Sequence, residues 1–220
     1  MIHKILPAIA LLFWASAANA QWGVRAGANF ATLATKTPSP YQQASSRGRL
    51  GYQLGVFYEK KLSQRWAFVP GLELSRQHQD LQVEESGIAD GGYVATYRLA
   101  LTYLNLPLLA QASLGHYYVE AGPQLGVLQM AHERGNEVIG NFWGRSTMDF
   151  DRSATDRYRR VDVGICAGAG VKLGGGLGLG VRACTGLISL TSMPQSINYS
   201  GRLRSQTIQA VVSYRFLPGS

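Results

Sequence analysis

The sequence has no long apolar run after its first 20 residues. A membrane-spanning helix needs roughly 20 consecutive apolar residues, so a helical membrane protein is excluded. Charged residues are also scarce, at 15% against 46% hydrophobic residues. This balance excludes a disordered chain, because disorder requires low hydrophobicity and high charge. The length of 220 residues suits one domain.

The positive charge is not clustered. The formal net charge is +8, yet the arginines alternate with acids along the chain. Between Glu133 and Arg160, six arginines face five carboxylates. A nucleic-acid-binding protein gathers its Lys and Arg on one face or helix, so no nucleic-acid partner is expected.

The first 20 residues have the organisation of a secretory signal peptide. Lys4 gives a positive start, Ile5 to Trp14 are apolar apart from proline and small residues, and Ala18-Asn19-Ala20 supplies small residues at the cleavage positions. We therefore expect cleavage before Gln21, which divides the chain into a signal peptide (1–20) and one mature domain (21–220). No cysteine follows the cleavage site, so a lipid anchor is not expected.

Eight segments of the mature chain alternate apolar and polar residues. Period two over about ten residues is typical of the strands of a membrane barrel. The segments are Trp22–Leu33, Leu50–Glu59, Trp66–Gln79, Tyr93–Ala112, Tyr117–Gln129, Val161–Leu173, Leu177–Leu187 and Arg204–Phe216.

Short and long connections alternate between these segments. The short ones are Lys60–Arg65, Ser113–His116 and Gly174–Gly176, and the long ones are Ala34–Arg49, Asp80–Gly92, Met130–Arg160 and Ser189–Leu203. A soluble β-sandwich also alternates apolar and polar residues along its strands. It has no reason, however, to alternate short and long connections between them. The pattern predicts a closed antiparallel transmembrane β-barrel of about eight strands, with short periplasmic turns and long extracellular loops.

One face of every predicted strand is apolar or aromatic, as lipid requires. The other face carries Gly, Gln and isolated charges. An eight-stranded barrel is only wide enough for its own side chains, and unpaired buried charges are costly. We therefore expect a polar network that fills the lumen, formed by Arg25, Glu59, Glu73, Glu120, Asp162, Lys172 and Arg182.

The two cysteines, Cys166 and Cys184, each lie nine residues from Gly175 in the middle of a short turn. If this hairpin is symmetric about Gly175, they face each other within disulfide range. The oxidising periplasm permits a bond. Two interpretations remain open: the cysteines form a disulfide, or both are reduced and serve as small residues.

The centre of the chain resembles the PorT-like outer-membrane β-barrel family. The resemblance rests on Tyr103-Leu104-Asn105-Leu106-Pro107-Leu108-Leu109, on Tyr118-Val119-Glu120-Ala121-Gly122-Pro123-Gln124-Leu125-Gly126, and on the glycine-spaced segments 23–27 and 162–171. Asn105 stands where the family has an acid, and the Met130–Arg160 link is unusually long. The resemblance implies a barrel that assists secretion or surface-complex assembly. Gln209–Phe216 similarly resembles the C-terminal signal that the barrel-assembly machinery reads, although Val211 replaces a usual glycine.

Chemical motifs are few. The histidines are His3, His78, His116 and His132, with no metal-ligand spacing, and no nucleotide-binding or zinc motif is present. A barrel hydrolase needs a nucleophile, a histidine and an acid at one rim. The available pairs are His78 with Asp80 and His132 with Glu133. Solvated loop positions account for these residues better than a catalytic site does. No cofactor and no metal are expected.

The sequence thus favours a non-enzymatic structural or assembly component of the outer membrane. Its expected partners are outer-membrane lipid, the barrel-assembly machinery during insertion, and other envelope proteins. A small pore or a loop-mediated ligand-binding barrel is the alternative, and a lipid or peptide hydrolase ranks third.

Overall fold

The computed structural model describes residues 20–36, 42–88, 91–141, 144–190 and 202–216. Among them are nine strands, and all the strand pairs are antiparallel. In chain order they are β1 (Ala20–Lys36), β2 (Gln42–Lys61), β3 (Trp66–Ile88), β4 (Gly91–Leu114), β5 (Tyr117–Asn141), β6 (Gly144–Ser153), β7 (Val161–Lys172), β8 (Leu177–Gly186) and β9 (Arg202–Arg215).

Eight of the nine strands close into a ring. Its order is β1-β2-β3-β4-β5-β7-β8-β9, and β9 pairs with β1 to complete it. The remaining strand, β6, pairs with the same edge of β5 as β7 does, but farther along β5. The predicted eight-stranded antiparallel barrel is confirmed.

The two ends of the barrel differ. One end, here called the turn end, holds the hairpin turns at 62–65, 115–116 and 173–176. Gly115, Gly175 and Gly176 adopt positive φ angles of 67°, 69° and 85° in these turns, a region that glycine enters without steric cost. The opposite end, the loop end, carries the longer connections.

The outer surface carries a broad apolar band. Closing the ring pairs the backbone groups of all eight strands, which the membrane interior demands. Exposed apolar side chains then cover the outside, among them Trp22, Leu54, Val56, Leu72, Leu74, Leu104, Leu106, Val119, Leu125, Ile165, Leu179, Val181, Ile208 and Val212. Within the described residues, no α-helix of a length and apolarity suited to crossing a bilayer occurs.

Three strands run well past this band. β3, β4 and β5 have 23, 24 and 25 residues, whereas roughly 9–11 residues suffice for a membrane strand. The links Ala34–Arg49, Asp80–Gly92 and Met130–Arg160 were expected to be loops. This expectation is wrong for residues 42–49 of the first link and for most of the other two. These residues extend β2, β3, β4 and β5 and add β6, forming a projecting sheet (42–49, 76–88, 91–102, 130–141 and 144–153).

The projecting sheet persists because its polarity is inverted. Within the apolar band, Leu72 and Leu74 face outwards, whereas beyond it Leu81 and Val83 are buried and Gln82 is exposed. Beyond the band, apolar side chains therefore pack inside the barrel and polar side chains lie on the outside. The resulting interior core contains Leu33, Leu81, Val83, Ala95, Tyr97, Leu99, Leu101, Tyr103, Leu128, Ala131, Ala154, Tyr158, Leu190 and Leu203.

Candidate functional site

Four charged side chains cross the centre of the lumen. Arg25 Nη1 lies 3.1 Å from Glu73 Oε1. Arg182 Nη1 lies 3.2 Å from the same oxygen, and its Nε donates to Glu120 Oε1 at 3.0 Å. Arg25 Nη2 completes the group at 3.9 Å from Glu120 Oε2. We call these two arginines and two glutamates the central quartet.

The quartet arises from the geometry of the ring. Its members come from β1, β3, β5 and β8, which are every second strand of the ring. Inward side chains of alternate strands form one layer in a small barrel. All four are at least 94% buried, and two positive charges balance two negative ones, which limits the cost of removing them from water.

A second charged group, formed by Glu59, Lys172 and Arg215, lies towards the turn end. Glu59 is buried, with Arg215 Nη1 3.2 Å from its Oε2 and Lys172 Nζ 3.8 Å from its Oε1. Lys172 also donates to Ser113 Oγ at 2.8 Å. Arg215 was not among the expected lumen residues. The alternation along β9 could have predicted its place in the lumen, because Tyr214 faces outwards and Arg215 therefore faces inwards.

Asp162 lies apart from both charged groups. It lines a small polar cavity of about 20 Å³ with Tyr103, Asn105, Gln124 and other residues of the upper lumen, which gives room for roughly one water molecule. The described residues offer Asp162 no ion pair. The predicted lumen residues therefore divide into three places: the quartet, the Glu59 group and this cavity.

Cys166 and Cys184 are register partners on β7 and β8 and are joined as a disulfide. The bond links the two strands on the lumen side, where it packs beside Phe57, Val69 and Leu109. These apolar side chains occupy lumen space that the central quartet leaves free.

A buried carboxylate, Glu133, closes the barrel above the membrane. Its Oε1 accepts a hydrogen bond from Tyr158 Oη at 2.8 Å, and its Oε2 lies 3.1 Å from Arg152 Nε and 3.3 Å from Arg157 Nη1. Tyr158 is 1% exposed and packs into the interior core. Glu133 thus anchors residues 152–158, which we call the cap, over the lumen.

Two phenols of this closure have shifted pKa values. Burial, together with the nearby Glu133 carboxylate, raises the pKa of Tyr97 and raises that of Tyr158 well above its ordinary value. Both therefore stay neutral and hydrogen-bonded across the neutral pH range. The sequence reading treated Glu133 only as a partner for His132, so it missed this role.

The outer face beside the cap carries a histidine–carboxylate pair. His132 Nε2 lies 2.5 Å from Asp151 Oδ1, with both side chains about half exposed. Glu133, the acid considered from the sequence, points to the opposite side of β5. Ser153 is the register partner of His132, but the described residues contain no hydrogen bond between them. Nor do they contain three or more His, Cys, Asp or Glu side chains placed to hold a metal ion.

The sequence profile of the outer membrane protein beta-barrel domain family matches residues 14–192. This is most of the chain. The chain belongs to this outer-membrane β-barrel family. The turn end is accordingly the periplasmic side of the barrel, and the loop end is the extracellular side.

Several solved structures are similar to this chain. Ail of Yersinia pestis is 10% identical, with a TM-score of 0.41 over 90% of this chain and 99% of Ail. OprG of Pseudomonas aeruginosa is 10% identical, with a TM-score of 0.45 over 91% of this chain and 97% of OprG. Neisserial surface protein A is 10% identical, with a TM-score of 0.43 over 90% and 99%. At these identities the likeness concerns the fold alone. No curated protein matches the chain.

Proposed function

We propose that this protein is a non-enzymatic outer-membrane barrel that acts as a structural or assembly component of the cell surface. It is exported by the signal peptide 1–20 and inserted by the barrel-assembly machinery, which reads the C-terminal segment ending at Phe216. The resemblance to PorT-like barrels extends the proposal to secretion or surface-complex assembly.

The main support for this proposal is that side chains fill the lumen of the barrel. The central quartet crosses the barrel at membrane level, and the interior core with its Glu133-anchored cap fills the space above. A conducting barrel needs a continuous aqueous path, whereas these two layers occupy the lumen in series. The function then lies on the surfaces of the barrel rather than in its interior.

The projecting sheet is the surface that a partner would meet. One of its two hairpin ends is the β5–β6 hairpin, in which Gly140 pairs with Arg145 and Asn136 with Asp149. Residues 144–149 are all exposed. A hydrogen-bonded hairpin is ordered before it binds, so a partner gains affinity without the entropic cost of ordering a loop.

The test is to express the protein at its native level, purify it from outer membranes in mild detergent, and identify the proteins that co-purify with it. We compare it with a variant in which an Asn-Gly turn replaces residues 137–148, so that the register pair Asn136 and Asp149 flanks the new turn. A matched control shortens the β3–β4 hairpin between its own register pair, Glu84 and Val94.

A stoichiometric partner that is lost only with the β5–β6 hairpin supports the assembly role. Purification of the wild-type barrel alone contradicts it. Steady conductance of the purified protein in planar bilayers also contradicts it and favours the pore.

A second candidate, an apolar-ligand-binding barrel, rests on one groove. The groove has a volume of about 390 Å³ and lies on the outer face between β7, β8 and β9, with Ile165, Ala167, Ala183 and Ile208 in its lining. It opens towards lipid rather than towards the lumen. Retention of one specific apolar compound through detergent purification would favour this function.

A further inference from the structure

The small polar cavity of the upper lumen is shaped around Asp162. Cross-strand register places Asn105 on β4, Gly126 on β5 and Asp162 on β7 side by side. A Cβ atom at Gly126 would lie 2.9 Å from Asn105 Oδ1 and 3.5 Å from Asp162 Cβ. A Cβ atom at Gly186 on β8 would lie 3.3 Å from Asp162 Oδ1. The two glycines therefore leave open the space that adjoins the carboxyl group.

Two polar atoms of the cavity wall have no hydrogen-bond partner among the residues that the structure describes. They are Tyr103 Oη and Asp162 Oδ1, and both atoms are buried. Tyr103 as a whole is only 2% exposed. A buried polar group without a partner is costly. Since both residues line the same cavity, the two atoms indicate a ligand there that contacts both.

Asp162 also lacks a counter-charge in the part of the chain that the structure describes. Its hydrogen bond with the backbone of Val163 does not neutralise a carboxylate. Arg182 of the central quartet is four residues from Gly186 along β8, which corresponds to about 13 Å, and the quartet balances its own charges. The Glu59 group lies farther away still, beyond the quartet. An unpaired buried carboxylate is costly, so a cation in the cavity would stabilise it.

The donor set of the cavity indicates the class of cation. Carboxylate, phenol, amide and hydroxyl oxygens are available, from Asp162, Tyr103, Asn105, Gln124 and Thr207. Such hard oxygen ligands suit alkali and alkaline-earth cations better than transition metals. Ca²⁺ takes about 6–8 oxygen ligands and Mg²⁺ usually keeps several waters, whereas this cavity has room for roughly one water-sized ligand. A single carboxylate also balances a single positive charge.

We propose that this cavity binds one small monovalent cation, such as Na⁺, between Asp162 Oδ1 and Tyr103 Oη. The cation neutralises the carboxylate, which a water molecule in the same place cannot do. Asp162 belongs to β7 and Tyr103 to β4, and β5 lies between these strands in the ring. The bound cation therefore links two walls of the upper lumen at the base of the interior core, of which Tyr103 is a member.

The test measures the urea midpoint of the full barrel in zwitterionic detergent, after refolding in NaCl or in choline chloride of the same ionic strength. Choline is too large for a cavity of about 20 Å³. A ligand that binds only the folded state stabilises it increasingly as its concentration exceeds Kd. The wild-type midpoint should therefore rise with Na⁺ concentration and stay lower in choline chloride.

Asp162→Asn keeps the shape of the side chain and removes its charge. Asp156→Asn, at an exposed carboxylate outside the cavity, is the matched control. The rise with Na⁺ should disappear in Asp162→Asn and persist in Asp156→Asn. In choline chloride, Asp162→Asn should be at least as stable as the wild type, because it removes the uncompensated charge.

Two further variants keep the proposal testable if Asp162→Asn impairs folding. Gly186→Ala retains the carboxylate but adds a methyl group 3.3 Å from Asp162 Oδ1, so it should abolish the response to Na⁺. Tyr103→Phe removes one ligand oxygen and should weaken the apparent affinity for Na⁺ several-fold.

Three results would overturn the proposal. The wild-type midpoint could be the same in both salts, which would leave only a water molecule or a proton at Asp162. The rise could persist unchanged in Asp162→Asn, which would make it a general effect of salt. Infrared spectra in NaCl could show a protonated carboxyl band that is absent from Asp162→Asn, which would mean that a proton and not a cation neutralises the group.

Discussion

Arg182 lies between Glu73 and Glu120, with Nη1 3.2 Å from Glu73 Oε1 and Nη2 3.0 Å from Glu120 Oε1. Its side chain is 1% exposed. The guanidinium therefore joins β8 to β3 and β5 across the barrel, so the quartet holds opposite walls together as well as filling the lumen.

Arg182→Met should lower the free energy of unfolding by about 3–5 kcal/mol, because it leaves a buried negative charge uncompensated. Arg182→Met combined with Glu120→Leu should cost less, since Glu73 then keeps Arg25 and the charges balance again. Urea unfolding in detergent, followed by tryptophan fluorescence, measures both. Equal instability of the single and double variants would contradict the pairing argument.

The Cys166–Cys184 disulfide should stabilise the barrel through its unfolded state. The two residues are 18 positions apart, and closing a loop of this size contributes about 3 kcal/mol in the chain-entropy model. Dithiothreitol should lower the urea midpoint of the wild type and leave that of a Cys166→Ser/Cys184→Ser variant unchanged. Reaction of both thiols in the denatured, unreduced protein would show instead that the bond is absent.

The cap should open at alkaline pH. The raised pKa values of Tyr97 and Tyr158 mean that the folded cap retains two protons that free phenols release above about pH 10. The stability of the closed cap is therefore complete below pH 10 and falls as pH rises further. Protease cleavage within residues 144–160, measured against pH, follows the opening.

The double replacement Tyr97→Phe/Tyr158→Phe provides the comparison. It removes the hydrogen bond to Glu133, so at neutral pH it should weaken the closed cap by roughly 1–3 kcal/mol. It should also flatten the alkaline increase in cleavage, whereas Tyr117→Phe, at an exposed turn-end position, should change neither. An unaltered pH profile in the double variant would assign the opening to other groups.

The membrane part of the fold could be predicted because lipid imposes one rule on every strand. Trp22 on β1, Leu72 on β3 and Val181 on β8 had to face outwards. By alternation along the same strands, this fixed the inward orientation of Arg25, Glu73 and Arg182. Which charges would meet could not be predicted, since the quartet depends on the register and closure of the whole ring.

The projecting sheet was not predicted because the faces of its strands exchange polarity at the membrane surface. The inward residues become apolar and the outward residues become polar. Leu81 and Val83 are inward residues of a strand that begins with outward Leu72 and Leu74, so the segment lacks a continuous apolar face. The period-two rule could still have separated His132 from Glu133, because consecutive residues of a strand point to opposite faces.

The His132–Asp151 pair on the outer face should have no catalytic role. Its imidazole and carboxylate are 51% and 56% exposed, and the described residues show no hydrogen bond from Ser153 that would activate a nucleophile. An exposed ion pair of this kind contributes at most about 1 kcal/mol, so His132→Gln should fold normally. Purified wild type and His132→Gln should hydrolyse phospholipid esters and peptides at the same background rate as His116→Gln. A rate above background that falls at least 100-fold in both His132→Gln and Ser153→Ala would instead identify a working Ser-His-Asp arrangement at this rim.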